Sequence, residues 1–212
     1  MVRPRQVSDQ QILAAARSAF LAEGPNVSTA TIARALDISQ AALFKRFKSK
    51  SQLMREALHL PTVPEWVGRV DAGPHPERPL ADQLQELASA LDAFFRELVP
   101  VLAAIKASDL CMEEFFADLE DPPPVRAVKA LEGWFRRASE MGLARVEQPK
   151  AAGMAFMGAL QVRVYLSHLF GREFEDVDPT SYVKAVVEAF AAALVAGGPL
   201  PKPLHLSPAS QD

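Results

Sequence analysis

The chain has 212 residues, 49% of them apolar and 23% charged, proportions of a folded protein rather than a disordered or fibrous one. No apolar run approaches the ~20 residues that span a bilayer, and a single cysteine, Cys111, excludes a disulfide framework and any cysteine-rich metal site. The net charge of −3, taken over the whole chain, argues against a nucleic-acid partner.

Residue usage indicates an all-α fold. There are 35 alanines and 24 leucines against four isoleucines and four threonines. Ala and Leu lose little on entering a helix, whereas strands favour β-branched and aromatic residues. No Asn-Gly or Asp-Gly hairpin turn occurs, and no segment alternates with period two. The first residues, MVRPRQVSDQQ, are basic but lack the apolar core of a secretory signal, which with the lone thiol fits a reducing cytoplasm.

In chain order, a first helix is expected from Ser8 to Glu23, with Ile12, Leu13, Ala16, Ala19 and Phe20 on one face and Ser8 and Gln11 as a capping box. A short helix follows over Thr29–Leu36 behind a Ser28 cap, then a turn at Asp37-Ile38-Ser39 and another short helix over Gln40–Phe47. A fourth runs over Ser51–Leu60. Five prolines and two glycines between Pro61 and Pro79 read as a linker or irregular loop. Longer patterns cover Leu80–Val99 and Val101–Leu119, separated or kinked at Pro100. Three more cover Val125–Met141, Pro149–Phe170 and, behind Asp178-Pro179, a last helix to Ala196. Residues 199–212, with the glycines just before them, read as a Pro-rich disordered tail.

Residues 28–50 carry the most information. Two short helices joined by a three-residue turn, with Ile32, Ala33, Leu36, Ile38, Leu43 and Phe47 as the buried set, have the spacing of a helix-turn-helix. The outer face of the second helix offers Gln40, Ala41, Phe44, Lys45 and Lys48. Ala41 and Ala42 allow close approach to base edges, Gln40 suits adenine, and Lys45 or Arg46 suits guanine or phosphate. Ser28 and Thr29 begin one helix, and Lys50 and Ser51 another, whose free N–H groups suit phosphates. Packed helices with a merely solvated basic face are the alternative.

Residues 8–58 resemble the DNA-binding domain of the TetR family of bacterial transcriptional regulators. The resemblance rests on Ala16, Phe20 and Gly24, on Ser28 with Ile32-Ala33, on Ile38-Ser39, and on Leu43, Phe44, Phe47, Ser49 and Lys50. Three departures stand out: Phe44 replaces the family's phosphate-binding Tyr, Ala41-Ala42 replaces a Gly-Thr pair, and the Gly24–Ser28 loop is one residue short. The resemblance implies a domain at 1–50 that reads a double-stranded, palindromic operator. It also implies an effector-binding and dimerisation domain at 51–198, a homodimer through the helices near 150–170 and 179–196, and a repressor released by a small molecule.

The second half supports this only in outline. The two last helices are apolar beyond one narrow stripe, as burial on two sides requires. A fairly apolar effector would be lined by residues such as Trp66, Phe94, Phe95, Met112, Phe115, Phe116, Trp134, Met154 and Met157, although any helical domain also needs such residues for its core. Asp109, Glu113, Glu114 and Asp118 suit a cationic ligand or simply a solvated helix face. His59, His75, His168 and His205 have no metal-ligand spacing, and no phosphate loop, H-E-x-x-H or G-x-S-x-G occurs, so neither a metal, a cofactor nor an enzyme is expected. A helix-turn-helix protein without an effector, or a helical enzyme, are the remaining alternatives. The charge divides accordingly: residues 1–50 hold eight Lys/Arg against three Asp/Glu, and residues 51–212 hold fifteen against twenty-three. A basic head on an acidic body hides behind a small net value.

Overall fold

Each of the first four helices begins at a serine. Ser8, Ser28, Ser39 and Ser49 cap α1 (Asp9–Glu23), α2 (Thr29–Ala35), α3 (Gln40–Arg46) and α4 (Lys50–Ala57), each hydroxyl accepting from the backbone N–H three residues on. At α1 the bond is returned by Gln11, which completes the capping box. The structure is a computed structural model that describes residues 7–60, 65–117, 119–171 and 178–196, and among these the chain is helical with no strand.

The turn between α2 and α3 has a specific closure. Asp37 adopts φ 55°, its N–H donates to the carbonyl of Arg34, and the N–H of Ile38 donates to that of Ala33. This is a Schellman ending, with Asp in the left-handed position that glycine fills at lowest cost. It turns the chain sharply enough for Ile38 and Leu36 to pack onto the core of Ile32, Ala33 and Leu43. α4 lies across α1, where Leu53, Met54 and Ala57 bury with Ile12, Ala16 and Phe20, and Arg17 donates to the carbonyl of Ala57.

The remaining helices are α5 (Glu65–Ala72), α6 (Leu80–Lys106), α7 (Met112–Phe115), α8 (Pro123–Glu140), α9 (Pro149–Phe170) and α10 (Pro179–Ala196). Three expectations are corrected here. The stretch from Pro61 to Pro79 is not all irregular. Its prolines bracket α5, whose Trp66, Val67 and Val70 are buried and whose end is tied to α8 by Arg137 donating to the carbonyl of Val70. Pro100 does not separate two helices: α6 runs through it from Leu80 to Lys106, with Leu98, Val99 and Val101 around it buried in the core. The second pattern does not reach Leu119 as one helix. It stops after Lys106, where Ser108 bonds back to the carbonyl of Ile105 and accepts from the N–H of Leu110, a side-chain alternative to the helical ladder. The expected tail, residues 199–212, lies outside the described residues, as does Asp118.

α9 is central to this half, touching α8, α6 and α10. Against α8 the approach is close: a Cβ added at Gly153 would lie 3.0 Å from the Cβ of Leu131 and 3.3 Å from the backbone N of Glu132. Rings of Trp134, Phe135, Phe156 and Phe190 run edge to face from α8 through α9 to α10. Against α6, Arg163 meets the buried Asp92 at 2.5 Å, and Arg96 meets the other oxygen of that carboxylate at 2.7 Å. Tyr182 of α10 donates to the carbonyl of Ala159 and carries Arg163 over its ring. Asp178 caps α10 by accepting from the N–H of Ser181, which holds its carboxyl below the usual range.

One stripe of α9 is left largely uncovered among the described residues. Met154, Val162, Tyr165 and Leu169 are each about half exposed, and an added Cβ at Gly158 would touch no atom within 4 Å. Their spacing of three and four residues places them on one helical face. Ala185, Ala189, Ala192 and Val195 of α10 are exposed as well.

Two stability effects follow. Asp37→Gly removes the left-handed strain and raises stability by about 1 kcal/mol, whereas Asp37→Val lowers it; urea unfolding midpoints distinguish the two. Gly153→Val, measured the same way, costs about 1–3 kcal/mol because the added carbons meet the backbone of α8.

Candidate nucleic-acid interface and effector cleft

α3 is held by its buried side and left bare on the other. Leu43 is fully buried and Phe47 nearly so, while Gln40, Ala41, Ala42, Phe44, Lys45 and Arg46 are all exposed. The two alanines leave the start of the helix with a thin profile, and Phe44 projects an apolar ring beside them. Lys45 makes no hydrogen bond or ion pair among the described residues, so its charge is available to an anion.

The other polar candidates have partners inside the head. Gln40 donates to the Thr29 hydroxyl at 2.7 Å, bridging α2 and α3, and Thr29 is itself buried. Ser28 caps α2 and shares a 2.8 Å hydrogen bond with the Thr31 hydroxyl. Arg46 donates to the carbonyl of Val7 and to Asp9 at 3.1 Å, which fastens the end of α3 to the start of α1. Thus Ala41, Ala42, Phe44 and Lys45 form the open surface, and Thr29 and Arg46 support it.

Lys50 sits apart from these. Half-buried at the start of α4, it lines a crevice with Pro25, Ser51 and Met54 from the head and Ala107, Ser108, Asp109 and Leu110 from the turn after α6. This joint has no signature in the sequence, because nothing local pairs residue 50 with residue 109.

The apolar candidates separate by position. Trp66, Phe95 and Trp134 are buried in the core, with Phe94 stacked between the first two. Met154 is exposed on the bare stripe of α9, and Met157 is partly buried against the core. Met112 and Phe116 border open space, with Phe115 stacked edge-on against Phe116. A cleft of about 450 Å³ lies between α6 and α9, walled by Val99, Leu102, Ala103, Met112 and Leu169, with Lys106, Gln161, Tyr165 and His168 as its polar groups. A neighbouring cleft of about 500 Å³ shares Leu102 and Met112 and is bordered by Glu113, Phe116, Pro122 and Pro124. Sequence reasoning passed over most of the first cleft, although residues 161, 165, 168 and 169 have the spacing of one helix face.

No group of His, Cys, Asp or Glu suited to a metal occurs among the described residues, and none of their helices is long and apolar enough to cross a membrane.

Comparison with known proteins agrees with this geometry. No curated protein matches the sequence. Residues 12–57 match the model of bacterial regulatory proteins of the TetR family, and residues 82–195 match that of the AefR-like transcriptional repressor C-terminal domain. Similar solved structures include the TetR-family regulator PfmR from Thermus thermophilus, at 22% identity and TM-score 0.60, covering 85% of this chain and 97% of that one. SmeT in complex with triclosan matches at 17% identity and TM-score 0.61, over 90% and 97% of the two chains. The flavonoid-responsive regulator FrrA matches at 20% identity and TM-score 0.54, over 86% and 94%. The chain belongs to the TetR family of bacterial transcriptional regulators, which are DNA-binding proteins and not enzymes.

Proposed function

We propose that the protein is a homodimeric repressor of the cytoplasm that reads a palindromic operator with α3 and is released by a small, fairly apolar effector. The observation that carries the reading is the bare face of α3, where Ala41, Ala42, Phe44 and Lys45 are exposed on a helix whose other side is locked into the head. A helix of this shape fits the major groove, with the alanines close to base edges and Phe44 against sugar or a thymine methyl. Gln40 joins the base contacts by turning from Thr29, and Ser28, Lys50 and Ser51 approach the phosphate backbone. The acidic body repels DNA elsewhere, so the head alone is attracted.

The dimer reading is supported by the bare stripe of α9 and the exposed alanines of α10. A self-complementary contact through these faces gives two heads related by a two-fold axis, matching two half-sites. The matched description of an AefR-like repressor supports the sign of regulation, and the triclosan-bound and flavonoid-responsive neighbours support a small apolar effector.

A path for release is supported by the joint after α6. Lys106 and Ala107 border the α6–α9 cleft, and Ala107–Leu110 border the crevice against α4. A ligand that favours one setting of this turn moves α4, and with it the head, to the extent that it binds that setting better than the other.

Two measurements test the reading on a duplex selected from a random pool. Phe44→Tyr adds a hydroxyl within reach of a phosphate and tightens binding several-fold, while Lys50→Ala lowers the slope of affinity against salt by about one. Unchanged affinity and slope remove these residues from the interface. Val162→Glu places a charge on the α9 stripe; sedimentation then gives a monomer where the parent is a dimer, and DNA affinity falls with it. A parent that sediments as a monomer contradicts the two-fold arrangement.

A further inference from the structure

We infer that the α6–α9 cleft takes an organic anion with an apolar tail, its head group held by Lys106 and His168 and its tail length limited by Met112. This deepens the effector reading above and rests on it.

The lining has a sign. In a body where acidic residues outnumber basic ones by twenty-three to fifteen, no carboxylate among the described residues lines this cleft, and Lys106 and His168 stand at it together. Lys106 ends α6 and forms no ion pair among the described residues. Its stem can lie along the apolar wall made by Val99 and Ala103 while the ammonium meets an anion. An anion is thus the charge the cleft attracts, and a cation the one it disfavours.

The neighbouring cleft fixes which way the ligand lies. It shares Leu102 and Met112 with the first, is otherwise apolar, and carries Glu113. A carboxylate head is repelled there, whereas an alkyl or aryl tail is accepted. The ligand therefore has its head at Lys106 and passes its tail beside Met112 toward Phe116. The combined space suits a ligand longer than the first cleft alone accommodates, and Met112, a flexible thioether between the two, is the residue that sets how far the tail reaches.

The test is calorimetric titration of the full chain with decanoate, decan-1-ol and decylammonium, below micelle-forming concentrations, with hexanoate as a short acid. Decanoate binds about tenfold more tightly than the alcohol or the amine. Lys106→Met abolishes that preference without weakening the alcohol, and Lys106→Arg retains it. Met112→Trp weakens decanoate but not hexanoate. Equal affinities for the three head groups, or a decanoate affinity unaltered in Lys106→Met, overturn the proposal. Equal losses for both acids in Met112→Trp overturn the role given to Met112. Duplex binding by the unliganded chain is measured in parallel. A chain that binds duplex but shows no head-group preference lacks this anion site, whereas one that shows the preference but binds no duplex contradicts the regulator reading instead.

Discussion

The four sides of α9 govern the larger part of this molecule. One side crosses α8 at Gly153, where the missing side chain lets Leu131 and the backbone of Glu132 come close. A second meets α6 through the buried Asp92–Arg163 pair, and a third meets α10 through Phe156 and Phe190. A buried pair of this kind adds little net stability, but loss of either partner strands a charge in the core, so it fixes the relative setting of α6 and α9. The cleft opens between these same two helices and shares Tyr165 and Leu169 with the apolar stripe left uncovered on the fourth side of α9. Ligand space, bundle geometry and the proposed contact between copies therefore share one helix.

The head is arranged on the opposite principle. Its placing bonds are mostly local, four serine caps and a Schellman turn at Asp37, with the Arg46 link reaching back from α3 to α1. Each leaves the outer face of α3 untouched. The head meets the body through α1, which touches α6, and through α4, packed on α1 and lining a crevice with the turn at Ala107–Leu110. The proposed release path follows this joint from the end of α6 to the head.

Much of the head was readable in the sequence because its determinants are local. Ser8 with Gln11, Ser28 ahead of Ile32-Ala33, and the interval from Leu36 to Leu43 indicate helix starts and a turn without reference to distant residues. The prolines misled where tertiary packing decided the outcome. Pro100 sits in an unbroken helix with its neighbours buried in the core, and the prolines around Trp66 bracket a helix rather than exclude one. The roles of Gln40, Thr29 and Arg46 were legible as chemistry but not as partnerships, since their bonds join residues 11 to 39 positions apart. The cleft was hidden for the same reason: Lys106 and His168 become neighbours only when α6 and α9 pack.

The central claim is that two identical heads are held at a fixed separation by the paired bodies. Inserting about five base pairs between the half-sites of a selected duplex turns one half-site to the opposite face of the DNA. On this account affinity falls to that of a single half-site. Affinity unaffected by the insertion contradicts it, because the heads would then bind independently.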